Sequence, residues 1–143
     1  MLIRRFLWLP LLPVVLMSCG SGDEGTGSPS PSPTGTPVPA TFSQVRDTIL
    51  VPSCGQFSPC HLHDAGGLTL TADEAYGELV DVASIQIPSM KRVAPGDPDN
   101  SYLIWKLTNM DGIVGDEMPP GALISDEKLQ MVESWIRSGA PNN

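Results

Sequence analysis

Five residues separate Cys54 from Cys60, and His61 follows the second cysteine directly: Cys54-Gly55-Gln56-Phe57-Ser58-Pro59-Cys60-His61. Two thiols followed at once by an imidazole is the arrangement that attaches c-type haem. The thiols add across the haem vinyl groups, and the adjacent histidine is thereby held beneath the iron. The same residues admit two other chemistries. In an oxidising compartment Cys54 and Cys60 would pair as a disulfide, and closing so short a loop contributes roughly 2 kcal/mol on the chain-entropy model. With His63 added, Cys54, Cys60 and His61 supply the four N/S donors that zinc prefers, although this spacing is not among the common zinc arrangements. Nucleophilic hydrolysis is not indicated, because the chain has no Gly-x-Ser-x-Gly and both its histidines fall at one place.

The elements that must hold these groups read as helices joined by turn-rich loops. Phe42, Val45 and Ile49 fall at i, i+3 and i+7, one face of a helix expected to end before Pro52. Gly55 and Pro59 then give the inter-cysteine segment turn chemistry. Thr71 followed by Glu74 forms a capping box that leads into Ala75, Tyr76, Leu79 and Val80 at helical spacing. Ser101 can cap a helix carrying Leu103, Leu107 and Met110. Ser125 caps the last helix, where Asp126 and Glu127 favour the dipole, Leu129, Val132 and Ile136 face inward, and Gly139 supplies the stop. Turn-rich stretches lie at 63–67, 95–100 and 115–121, and no convincing run of strands appears. The expectation is a small all-α domain of about four short helices with long loops, spanning residues 41–143. So thin a core, with two Trp, two Tyr and two Phe beyond residue 40, would gain from a large apolar filler.

These residues together resemble a small bacterial cytochrome c, of the envelope type found as planctomycete-type cytochrome domains. The resemblance covers most of residues 41–140. It runs from the first helix into Cys60-His61, through Val93-Ala94-Pro95-Gly96-Asp97-Pro98 and Ser101-Tyr102-Leu103, to Met118-Pro119-Pro120-Gly121 and Trp135-Ile136 with Ser138-Gly139-Ala140. It implies haem c as cofactor, His61 as proximal ligand and Met118 as distal ligand. It also implies an electron carrier rather than a substrate-transforming enzyme. The usual attachment motif is Cys-x-x-Cys-His. The longer spacer here would let the extra residues bulge outward while both sulfurs still reach the vinyls. Because assembly machinery normally reads the short motif, the departure bears on covalent attachment. The alternative is a haem-free cytochrome-like binding or structural module with a Cys54–Cys60 disulfide.

Met118 also stands apart from the other methionines on its own terms. Met131 falls within the last helix and Met110 at a helix end, where both are expected as core. Met118 instead sits in an irregular segment between Gly115 and Pro119-Pro120, where the prolines would hold its thioether in place. His63 lies only two residues past His61 and is a poor competitor for the distal side. Leu68, Leu70, Tyr102 and Trp105 are expected to wall the cofactor. Asp97 and Asn100 are explained by the turn chemistry of Pro-Gly-Asp-Pro.

The N-terminus decides where such a protein would work. Arg4 and Arg5 precede an apolar run, Phe6–Met17, of 12 residues. A bilayer span takes roughly 20, so this reads as an export signal over residues 1–18. Leu16-Met17-Ser18-Cys19 resembles the lipobox of bacterial lipoproteins, which implies lipidation of Cys19. At about 0.8 kcal/mol per buried CH₂, two or three acyl chains hold a protein permanently on a membrane. Gly20–Ala40 then contains five Pro, five Gly, four Ser and three Thr and no aromatic residue. Such a segment cannot offset its ordering entropy and reads as a disordered, semi-stiff tether over residues 19–40. Beyond residue 18 the chain holds six basic against sixteen acidic residues, a net charge of −10. That charge repels phosphate backbones, which excludes nucleic-acid binding, and favours redox partners with a basic patch. The expected location is the bacterial cell envelope, lipid-anchored to a membrane.

Overall fold

The computed structural model describes residues 38–56 and 60–143. The export signal, Cys19 and nearly all of the tether lie outside the described residues, as do Phe57, Ser58 and Pro59. Among the described residues the regular structure is helical, with isolated bridges and no strand, as an all-α reading requires. No helix among them is long and apolar enough to cross a membrane.

The first helix, α1 (Phe42–Val45), starts from a capping box that the sequence reading passed over. Thr41 Oγ1 accepts from the Gln44 amide at 3.1 Å, and Gln44 Oε1 accepts from the Thr41 amide at 2.9 Å. The two bonds satisfy two of the donors that every helix start leaves open. The helix does not end before Pro52. It continues as a π-helical stretch, Arg46–Gly55, with Pro52 inside it. Pro52 donates no backbone hydrogen bond in either winding, but its ring would clash with the carbonyl four residues back in an α-helical turn, and the wider π winding relieves that crowding. That winding also suits the burial pattern. Val45, Ile49, Leu50 and Cys54 recur at four- to five-residue steps and all belong to or pack on the core.

Helix α2 (Ala75–Leu79) begins later than its capping box implied. Thr71 and Glu74 do meet, at 2.6 Å, but they close a preceding turn. Helix α3 (Tyr102–Thr108) follows Ser101, whose hydroxyl donates to Asp97 O at 2.8 Å instead of capping the helix. It stops at Asn109, in the left-handed conformation that ends many helices. Met110 therefore falls beyond α3 and is 43% exposed, so it is not the core residue expected. Helix α4 (Asp126–Arg137) ends as the sequence indicates, with Gly139 at φ 100° and its amide on Ile136 O. Met131 packs against the core as expected.

Helix α4 is the centre of the assembly, since both α1 and α3 pack on it. Val132, Trp135 and Ile136 are fully buried, at the i, i+3, i+4 spacing that makes one apolar face. Phe42 of α1 lies 5.4 Å from the Trp135 ring and meets Tyr76 edge-on at 5.1 Å. The chain end seals this face. Asn143 accepts from the Phe42 and Ser43 amides, both at 2.9 Å, and Tyr76 Oη donates to Ala140 O at 3.0 Å. The first and last helices are thus tied by aromatic packing and by hydrogen bonds, leaving α3 and the loops to enclose the remaining space.

Candidate functional site

That space is a cavity of about 290 Å³. It lies just below the usual range for small-molecule and cofactor sites, about 300–1,000 Å³. Cys54, Cys60, His61 and Met118 all line it, so a distant loop brings its methionine to the cysteine–histidine segment. The walls are mostly aliphatic, and Leu68, Leu70 and Tyr102 take the places expected of them. Trp105 does not. Positions 102, 103, 106 and 107 share the cavity face of α3, and helical rotation turns 105 away, where its indole Nε1 donates to Asp99 O at 2.8 Å.

His61 is held at three points. Its backbone amide donates to Cys54 O at 3.0 Å, its carbonyl accepts from the Leu70 amide at 2.7 Å, and its ring Nδ1 lies 3.2 Å from Leu68 O. A carbonyl can only accept, so this last bond requires the proton on Nδ1, and in the neutral ring the Nε2 lone pair is then free. That is the state in which metal-bound histidines are ordinarily held. Gly55 makes the approach possible. A Cβ there would sit 2.1 Å from Leu70 O, so the end of the π-helical stretch and the segment at 68–70 can close on each other only at a glycine. The sequence reading gave Gly55 a turn role; its structural role is this close backbone contact.

Cys54 and Cys60 are both free thiols. Burial pushes the Cys54 thiol up to about 11, the neighbouring Cys60 adds to that rise, and Lys128 opposes it. The thiol is therefore neutral at physiological pH and suited to an apolar wall. The zinc arrangement is not formed: His63 is exposed and off the cavity, and among the described residues no three His, Cys, Asp or Glu side chains are grouped to hold a metal.

Two buried cations complete the cavity, and the sequence reading missed both. Arg92 donates through Nη1 to Glu78 O at 2.7 Å and to Glu78 Oε2 at 2.8 Å, and through Nη2 to Gly67 O. It thereby joins the 65–68 turn, which carries His61's partner Leu68, to α2. Lys106 sits among the apolar residues of α3, and its ammonium donates to Val114 O at 2.9 Å and to Asp116 O. Burial lowers the Lys106 pKa, against the opposing pull of Asp116 and Glu117. A signal for Lys106 did exist. It is the lone charge in Tyr102-Leu103-Ile104-Trp105-Lys106-Leu107, four residues from Tyr102 and so on the same face. Arg92 has no comparable signal, since Lys91 beside it is equally charged and is exposed.

No protein-family model, curated protein or solved structure matches the chain. The functional reading therefore stands on the residues and geometry of the cavity.

Proposed function

We propose that this chain is a lipid-anchored electron carrier of the bacterial envelope, with a cytochrome c-like fold holding one c-type haem in the cavity between His61 and Met118. The observation that carries the reading is the donor set. A histidine with Nδ1 committed to Leu68 O, a thioether and two thiols converge on one aliphatic cavity. This set fits haem c better than a bare ion, because the walls offer apolar area to a large planar group and the histidine presents one free nitrogen. Haem supplies one-electron redox chemistry at its iron, and Met/His ligation raises its potential.

The chain's own residues have four tasks. The Leu68 carbonyl fixes the His61 ring orientation and tautomer, so that Nε2 would be the nitrogen offered to the iron. Leu70, Leu79, Leu103 and Leu107 exclude water, which keeps the local dielectric low. Met118 offers a neutral, soft sulfur from a loop. Cys54, kept neutral by burial, and Cys60 both line the cavity wall and would supply the thiols for thioether formation. No substrate bond is made or broken, and the function is passage of an electron to a neighbouring protein.

The deciding experiment is the visible spectrum of the reduced mature protein. Sharp α and β bands that survive acid–acetone extraction are expected, since thioether-bound haem cannot be extracted. A colourless protein with no titratable thiol at Cys54 and Cys60 would replace this reading with the haem-free disulfide module.

A further inference from the structure

The segment that delivers Met118 has almost no structure of its own. Residues 114–118 belong to no helix, and Val114 is 49% exposed. Yet among the described residues their backbone makes four hydrogen bonds, and all four go to two residues of α3. The Val114 amide donates to Tyr102 Oη at 3.0 Å. Lys106 Nζ donates to Val114 O at 2.9 Å and to Asp116 O, and Lys106 O accepts from the Met118 amide at 2.8 Å. Tyr102 and Lys106 are one helical turn apart, and the ammonium lies 6.0 Å from the Tyr102 ring centroid. Both side chains are buried, Tyr102 to 5% and Lys106 to 8% exposure.

A buried ammonium is costly, and here it has no carboxylate partner within ion-pair distance among the described residues. Carbonyls of one irregular loop solvate it instead. The dependence is mutual: the ammonium needs those carbonyls, and among the described residues the backbone of 114–118 has no bonds besides these four to keep it in place. Tyr102 is itself oriented, since its hydroxyl donates to Gln86 Oε1 at 2.8 Å while accepting from Val114. The clamp therefore rests on α3 and extends through Tyr102 to Gln86, another residue of the cavity lining.

We infer that Tyr102 and Lys106 are positioning residues that set where the Met118 thioether stands in the cavity. The importance of that position rests on the reading of Met118 as the distal ligand, whereas the clamp itself does not.

The test compares Lys106→Met, which keeps the apolar stem and removes the donors, Lys106→Arg, which keeps a cation, and Tyr102→Phe. Two readouts are taken. One is amide hydrogen exchange, with and without haem. The other is the Fe(III)–thioether charge-transfer band of the haem-loaded protein, with its reduction potential. In Lys106→Met, exchange at Val114 and Met118 should rise about tenfold or more, the equivalent of at least one lost hydrogen bond, while Val132, Trp135 and Ile136 of α4 keep their protection. The charge-transfer band should weaken and the potential fall, with partial recovery in Lys106→Arg. Tyr102→Phe should speed exchange at Val114 alone. Unchanged exchange in the loop of Lys106→Met would overturn the clamp, and so would equal acceleration across the loop and α4. If the parent protein lacks a thioether band, the ligand role of Met118 fails, and the exchange data still decide whether the clamp exists.

Discussion

Gly55→Ala tests the geometry that presents His61. The new Cβ would stand 2.1 Å from Leu70 O and 3.0 Å from Leu70 C, both backbone atoms of one carbonyl group. To reach an ordinary contact the two segments must separate by about 1 Å, a strain comparable with overpacking a core, about 1–3 kcal/mol. The same movement stretches the 2.7 Å bond from Leu70 N to His61 O, which adds about 0.5–1.5 kcal/mol. Together the loss is about 2–4 kcal/mol, or a fall in Tm of roughly 10–20 °C for a domain of this size. Urea unfolding of the parent and variant, with unchanged m, gives the value directly. Gly77→Ala is the internal control. Gly77 lies exposed within α2 with nothing within 4 Å of its would-be Cβ, so alanine there should stabilise by about 0.5–1 kcal/mol. If Gly55→Ala unfolded within about 0.5 kcal/mol of the parent, the close approach of the two segments, and with it the account of how His61 is held, would be wrong.

Further outcomes follow from the cavity and the termini. In the haem-free reduced chain, Cys54 titrates near 11 when folded against 9.0 as its ordinary value. Its contribution to stability is thus complete below about pH 9 and lost as pH rises towards 11, by about 2–3 kcal/mol, because the unfolded chain ionises first. Iodoacetamide labelling of Cys54 should stay slow until that range, and a labelling midpoint near pH 8 would contradict the burial argument. Met118→Ala should lower the reduction potential and open the sixth position to carbon monoxide with haem retained, whereas His61→Ala should prevent stable incorporation; spectra indistinguishable from the parent in both would remove the ligand assignment. Cys19→Ala should shift the protein from the membrane to the soluble fraction without altering its spectrum. Electron exchange with a cationic partner, followed by stopped flow, should slow steeply as salt rises, since the Debye length falls from about 30 Å at 0.01 M to about 8 Å at 0.15 M. Rates that stay flat with salt would refute steering by the acidic surface.

What could be read without the structure was what depends on near neighbours in the chain. Phe42, Val45 and Ile49, or Leu129, Val132 and Ile136, announce helices because their spacing repeats every three to four residues whatever they pack against. Gly139 ends α4 for an equally local reason, its freedom at positive φ. The helical class and the helix order follow from such signals, and so does the singling out of Cys54, Cys60, His61 and Met118. Where a residue's role is set by a partner far along the chain, the sequence carried little. Pro52 is a helix breaker by local rules, yet the π-helical winding continues through it because the core takes up Ile49, Leu50 and Cys54 at a wider period. Gly55 looks like a turn residue until Leu70 is seen lying against it. Trp105 is as apolar as its neighbours, and only the direction α3 presents to the cavity excludes it. Arg92 looks like a surface charge, and Lys106, though conspicuous as the lone charge in an apolar run, gives no sign of its partners, because composition cannot show which carbonyls will surround either. Burying an ion is tolerable only when the fold supplies those carbonyls in advance, and that supply is a property of tertiary structure alone.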